Sequence, residues 1–147
     1  MFISKQEDPI HGVALLAAAK KYDVDLGVKI DPTVLSPAYS LYFLAGLKIG
    51  VLSEDEMGLL NFYSRGAERI FGYSPKEILG TLSINLAPEH LREGREALFE
   101  RVKKEGVVKG IETQRINKTG NLIEIVADVF LYELGNVPCI AAAVRTK

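Results

Sequence analysis

Apolar and polar residues alternate with a period of two through the last third of the chain. Across residues 121–134, Ile123, Ile125, Ala127, Val129 and Leu131 fall on one side, and Leu122, Glu124, Val126, Asp128, Phe130 and Tyr132 on the other, the signature of a strand. Residues 107–117 and 137–145 predict strands on either side of it, separated by Lys118-Thr119-Gly120 and Gly135-Asn136, which carry turn chemistry. Upstream, residues 47–53 and 58–64 predict a hairpin around the acidic turn Glu54-Asp55-Glu56. Between the two strand groups the pattern is helical. Residues 67–71 are too short for a free helix and need packing to hold them, while Ser74-Pro75 caps a second short helix that stops at Gly80. Pro88 opens the longest helical pattern, to about residue 104, with Leu91, Ala97, Leu98 and Val102 on one side and Arg92, Glu93, Glu96, Glu100, Lys103 and Lys104 largely on the other.

The first 46 residues read differently. Asp8-Pro9 supplies a cap and a first-turn proline for a helix over residues 10–22, in which Val13, Ala14, Leu15, Leu16, Ala17, Ala18 and Ala19 leave almost no polar face. Such a helix must be covered on more than one side, by the rest of the fold or by a second chain. Asp31-Pro32 and Ser36-Pro37 repeat the cap-plus-proline pattern and predict a turn, then a helix over residues 38–44 stopped by Gly46. The order β-β-α-α-α-β-β-β after this helical extension predicts an α+β fold, an antiparallel sheet with its helices on one face.

Composition narrows the function classes. The length of 147 residues, with 48% hydrophobic and 25% charged side chains, suits one globular domain with a proper core. A net charge of -1 gives no footprint for nucleic acid or an anionic membrane. Residues 13–19 and 41–52 are shorter than the ~20 apolar residues that span a bilayer, and Met1 to Asp8 lacks the basic start of a secretory signal. The single cysteine, Cys139, excludes an intramolecular disulfide and multi-cysteine metal cages. The expectation is a cytoplasmic protein without a nucleic-acid or membrane partner.

Residues 61–80, Asn-Phe-Tyr-Ser-Arg-Gly-Ala-Glu-Arg-Ile-Phe-Gly-Tyr-Ser-Pro-Lys-Glu-Ile-Leu-Gly, carry the most specific motif. Ala67, Phe71, Gly72, Tyr73, Ser74, Pro75, Glu77 and Gly80, followed by Lys118 and Gly120, resemble the PAS domain family residue by residue; Asn61-Phe62-Tyr63-x-Arg65-x-Ala67 is similar to its MEKHLA branch. The resemblance covers about residues 47–146. It implies a five-stranded PAS-like sheet at residues 47–147, with residues 1–46 as a cap or dimerisation arm. Ser64 stands where many PAS domains have Asn, and the chain ends in Val144-Arg145-Thr146-Lys147 without the Asp-Ile-Thr exit that leads to an effector. The expected output, if the chain is whole, runs through a separate effector protein.

A PAS pocket lies between the inner sheet face and the helices, so the resemblance implies wall positions at Phe62, Ile70, Phe71, Leu79, Leu86, Leu98, Ile125, Ala127, Ala141 and Ala143. Three consecutive alanines, Ala141 to Ala143, are weak strand formers and leave room that either a ligand or the chain's own rings must fill. His90 is the candidate haem ligand, since haem-binding PAS sensors use a histidine on or near the long helix; a surface histidine beside a helix start is the plainer reading. His11 lies outside the PAS-like region. Residues 83–88, Ser-Ile-Asn-Leu-Ala-Pro, lack the thiol of a light-sensing flavin adduct, which leaves only non-covalent flavin. Cys139 reads as a small core or edge residue.

Catalytic signatures are missing: there is no glycine-rich phosphate loop, His-Glu-x-x-His pair or Gly-x-Ser-x-Gly elbow. Glu112, Glu124 and Asp128 read as the solvent face of a half-buried sheet. No metal-ligand set stands out. Val126, Phe130 and Tyr132 make the second face of the long strand too apolar for water unless the N-terminal helix or a second subunit covers it, and together with Val13 and Leu16 they predict the interface of a symmetric homodimer. The expectation is a non-enzymatic PAS-type sensory or interaction module in signal transduction that binds a small ligand or partner. A dedicated small-molecule, haem or flavin receptor is the alternative.

Overall fold

The computed structural model describes residues 9–31 and 35–147. The capping roles of Asp8 and Pro32, and the start of the chain, lie outside the described residues. Helices α1 (Pro9–Lys21) and α2 (Ser40–Gly46) precede strands β1 (Gly50–Glu54) and β2 (Leu60–Tyr63). Then come α3 (Arg65–Phe71), α4 (Pro75–Ile78), two 3-10 turns (Ser83–Leu86 and Glu89–Gly94), α5 (Arg95–Glu105), and strands β3 (Val107–Ile116), β4 (Leu122–Leu134) and β5 (Val137–Thr146). The five strands form one antiparallel sheet in the order β2-β1-β5-β4-β3. The α+β fold with short helices, one longer helix and an N-terminal helix is the one expected.

Two cores sit on opposite faces of this sheet. On the inner face Ile125, Ala127, Val129, Ile140 and Val144 meet Phe71, Ile78, Leu86, Phe99 and Val102 from the helices. On the outer face Val51, Phe62, Phe130, Tyr132, Ala141 and Ala143 meet Leu15, Leu16 and Ala19 of α1, with Leu44 and Leu47 beside them. The apolar side of β4 is therefore covered by the chain's own first helix. Of the residues expected at an interface, Leu16 and Phe130 are fully buried, Tyr132 nearly so, and Val13 and Val126 half-buried.

Short elements hold because polar side chains close their ends. Ser64 caps α3 by accepting from the Ala67 N–H, and the same Oγ accepts from the Val51 N–H at 2.8 Å, so it also ties β1 to the start of the helix. Ser74 and Glu77 form a reciprocal capping box on the four-residue α4. The β3–β4 turn docks on the same place: Lys118 N–H donates to the Phe71 carbonyl at 2.8 Å, and Lys118 Nζ lies 2.6 Å from Glu77. The carboxylate of Glu77 is held below its usual range, first by this lysine and then by the Ser74 N–H.

Three expectations need correction. The long helix is continuous only from Arg95; Glu89–Gly94 winds as a tighter 3-10 turn, where Leu91 N–H bonds three residues back to the Pro88 carbonyl. On α5 the buried residues are Phe99 and Val102, whereas Ala97 is exposed. Asp128 does not face solvent: it is 4% exposed, and its Oδ1 accepts from Gly110 N–H at 2.8 Å. Gly110, with φ of 69°, lies in the bulge between Val108 and Ile111, so Asp128 satisfies a donor that the interrupted β3–β4 ladder leaves over.

Candidate functional site

A cavity of about 300 Å³ lies between the inner sheet face and the helical layer. Its sheet wall comes from alternate residues of four strands: Leu52 and Glu54 of β1, Ile140, Ala142 and Val144 of β5, Ile125, Ala127 and Val129 of β4, and Ile111, Thr113 and Arg115 of β3. Phe71, Leu86, Ala87, Leu91 and Leu98 close it from the helical side. The small residues Ala127 and Ala142 provide depth that a larger side chain on the sheet would fill.

One ion pair closes the rim. Glu54 Oε2 accepts from Arg95 Nε at 2.9 Å and from Ser83 Oγ at 2.8 Å. Arg95 also reaches the Asp55 and Glu56 carbonyls and Glu96, and its guanidinium lies 4.7 Å from the Phe99 ring centroid. The side chains of Arg95 and Glu54 are only 12% and 14% exposed. Burial alone would lower the pKa of Arg95, but Glu54 and Glu96 outweigh it and raise the value. This pair joins the first turn of α5 to the β1–β2 hairpin.

The positions expected as pocket walls fall into two groups. Phe71, Leu86, Leu98, Ile125 and Ala127 border the cavity, and Ala141 reaches its edge although it packs in the outer core. Ile70 and Leu79 pack in the inner core without bordering it. Phe62 and Ala143 belong to the outer core, and Phe62 borders a second hollow between α2 and α3. His90 is exposed on the second 3-10 turn and does not line the cavity. Sequence reasoning missed Arg115, Glu54 and Arg95, whose positions on alternating strands and at a helix start carry no motif.

Beneath α1 lies a second polar constellation. His11 Nε2 is 2.6 Å from the Tyr132 hydroxyl, which is 2.6 Å from Ser53 Oγ; Ser53 in turn donates to Asn61 Oδ1. The Asn61 side-chain amide reaches Cys139 Sγ, a buried free thiol. The His11 ring also packs on Phe62 and Tyr132. Burial is the main reason that the pKa of the Tyr132 phenol is raised, so it stays a neutral hydrogen-bonding group. Ser53 and Glu54 are neighbours on β1 and turn to opposite faces, one to this network and the other to the cavity rim.

Among the described residues no group of three or more His, Cys, Asp or Glu side chains is placed to hold a metal ion. No helix among them is long and apolar enough to cross a membrane.

The MEKHLA domain matches residues 22–146. No curated protein matches the sequence. Among solved structures, the chain is similar to the PAS domain of a protein from Colwellia psychrerythraea, at 18% identity and a TM-score of 0.65, over 72% of this chain and 92% of that one. It is likewise similar to the PAS domain of a protein from Desulfitobacterium hafniense, at 19% identity and a TM-score of 0.62, over 72% and 99%. A PAS domain of an HTR-like protein from Haloarcula marismortui aligns at 13% identity and a TM-score of 0.65, over 71% and 86%.

Proposed function

The chain belongs to the MEKHLA domain family and has the PAS fold, and we propose that it works as a non-enzymatic sensory and interaction module whose cavity holds a small molecule. The observation that carries this reading is the hollow of about 300 Å³ on the inner sheet face, apolar through most of its wall and bordered by a few placed polar groups. An occupant that fits one packing of the 3-10 turns and α5 better than another shifts the population toward it. The Glu54–Arg95 pair links those turns to β1, and β1 carries Ser53 into the network under α1. Ligand state is thereby read on the outer face, where a partner or effector docks.

Homodimerisation belongs to the same reading, with its surface relocated. Leu16, Phe130 and Tyr132 are occupied within the chain, whereas Ile10, Tyr39 and Tyr42 are exposed on or beside the helices that cover the outer face. Tyr42→Glu is expected to convert a dimer to a monomer in light scattering; a dimer unchanged by this substitution refutes that surface. The haem reading draws no support from His90, which stands outside the cavity, and the hollow suits a molecule smaller than haem or a flavin nucleotide.

Native mass spectrometry of the protein as purified tests the ligand reading. Excess mass lost on gentle activation is expected; bare chain masses, with no binding from a library of small apolar compounds, overturn it.

A further inference from the structure

Three arginines border the cavity, and they differ in what remains of their hydrogen-bonding capacity. Arg95 has all three nitrogens engaged, with Nε on Glu54, Nη1 on Glu96 and the Glu56 carbonyl, and Nη2 on the Asp55 carbonyl. Arg92 gives its Nε to the Ala87 carbonyl. Arg115 uses one nitrogen only: Nη1 donates to Thr113 Oγ1 at 3.3 Å and to the Gln114 carbonyl at 2.7 Å. Among the described residues none accepts from its Nε or Nη2, and no carboxylate lies within 4.0 Å of it.

The free nitrogens are the informative ones. Nε and Nη2 form the side-on edge of a guanidinium, two nearly parallel N–H groups that match the two oxygens of a carboxylate. Arg115 follows Ile111 and Thr113 at steps of two along β3, which puts all three against the same cavity. Burial lowers the pKa of this cation, opposed only in part by Glu54, whose carboxylate is already taken by Arg95 and Ser83. A half-buried guanidinium with an open fork beside an apolar hollow is half of a carboxylate site.

We propose that the cavity takes a small monocarboxylate with a hydrocarbon body, its two oxygens held side-on by Nε and Nη2 of Arg115 and its body against Leu98, Ile125, Ala142 and Val144. The proposal rests on the reading of the cavity as a ligand site. Its size follows from the volume: about 300 Å³ lies at the lower end of the range of small-molecule pockets, which suits a short hydrocarbon acid. Its charge follows from Arg115 being the one bordering arginine with this edge free among the described residues, which suits a single planar anion better than a dianion.

The test titrates octanoate, octan-1-ol and octylamine into the full chain and follows amide and methyl NMR signals of Ile125, Leu98 and Val144, in wild type, Arg115→Gln, Arg115→Lys and Arg92→Gln. All protein bonds of Arg115 stay on its own strand, so its variants are expected to unfold like wild type. Octanoate is expected to bind at least about tenfold more tightly than octan-1-ol, the scale of a charge-assisted hydrogen bond in a partly buried site. Arg115→Gln removes that preference and leaves octan-1-ol binding in place, Arg115→Lys restores part of it, and Arg92→Gln leaves it intact. Equal binding of octanoate and octan-1-ol, or a preference lost in Arg92→Gln and kept in Arg115→Gln, overturns the carboxylate assignment while leaving the cavity reading standing. If none of the three probes moves the inner-face signals, the cavity reading itself falls, and the assignment with it.

Discussion

Gly66→Ala isolates the contact that seats α3 on the sheet. A Cβ at Gly66 would stand 1.8 Å from the Ile49 carbonyl oxygen and 2.5 Å from its carbon, whereas real Cβ atoms stay beyond 3.0 Å. The helix must therefore retreat from β1 by about 1.2 Å, the difference between the two distances. Both obstacles are main chain, so no rotamer change relieves the clash. Overpacking in a rigid site costs ~1–3 kcal/mol, and main-chain obstruction puts this case at about 3. Alanine in place of a helical glycine returns about 1 kcal/mol of propensity, leaving a net loss of about 2 kcal/mol. At ~2–4 °C per kcal/mol for a chain of this size, Tm falls by about 4–8 °C. Gly46→Ala, where a Cβ meets nothing within 4 Å, is the control and is expected to gain about 0.5 kcal/mol. The assay is thermal and urea unfolding of both variants beside wild type. A Gly66→Ala protein as stable as wild type refutes the argument, because it would mean that α3 does not rest on the Ile49 carbonyl. The retreat also moves Phe71, at the far end of α3, away from the cavity it borders, so the same variant is expected to loosen ligand binding.

Further outcomes follow from the two faces of the sheet. Leu16→Ala, fully buried between α1 and β4, is expected to lose about 2–5 kcal/mol in urea unfolding, and a loss under 1 would refute the capping of the outer face. Tyr132→Phe removes a hydroxyl shared by His11 and Ser53 and is expected to lose about 1–3 kcal/mol; an unchanged midpoint would show that water replaces it. Arg95→Gln strands Glu54 at the rim and is expected to lose about 2 kcal/mol, below the ~3–5 of a sealed pair because both side chains are partly wetted; a neutral effect would remove the ion pair from the account. Tyr63 and Tyr132 both have raised pKa values, chiefly through burial. Their folded-state stability is complete below the unfolded tyrosine value of ~10 and is lost as pH rises above it, by up to about 1.4 kcal/mol per pH unit for each. Tyrosinate absorbance from these two, identified with Tyr63→Phe and Tyr132→Phe, is expected only together with alkaline unfolding.

The sequence was most legible where residues close in the chain also contact one another, or where two motifs meet in space. Phe71, Ser74 and Glu77 carry the family resemblance, and Lys118 carries it from 41 residues beyond Glu77; in the fold Lys118 binds the Phe71 carbonyl and Glu77, while Ser74 and Glu77 cap α4. The motif is a contact set, which is why its spacing is informative. The alternation of β4 was readable for a different reason: its two faces bury different side chains, and each face keeps its own parity through the strand.

Legibility failed where contrast or locality was lacking. Ala141, Ala142 and Ala143 offer no difference between faces, and only the register with β1 and β4 turns Ala142 inward and places Ala143 under α1. The stretch after Pro88 kept an apolar periodicity, yet its first six residues wind as a 3-10 turn and Arg95, at the junction, is anchored in the β1–β2 hairpin. His11 and Tyr132 are 121 positions apart, so no window along the chain brings them together. The same separation gives the arrangement its functional interest. Strand β1 carries one residue, Ser53, into the network beneath α1 and the next, Glu54, into the ion pair at the cavity rim. A one-residue step on that strand therefore links the two polar clusters on opposite faces of the sheet. Opening either cluster, through Arg95→Gln on the inner side or Tyr132→Phe on the outer, is then expected to be felt by the other as a change in amide shifts at Ser53 and Glu54 beyond what each variant causes locally.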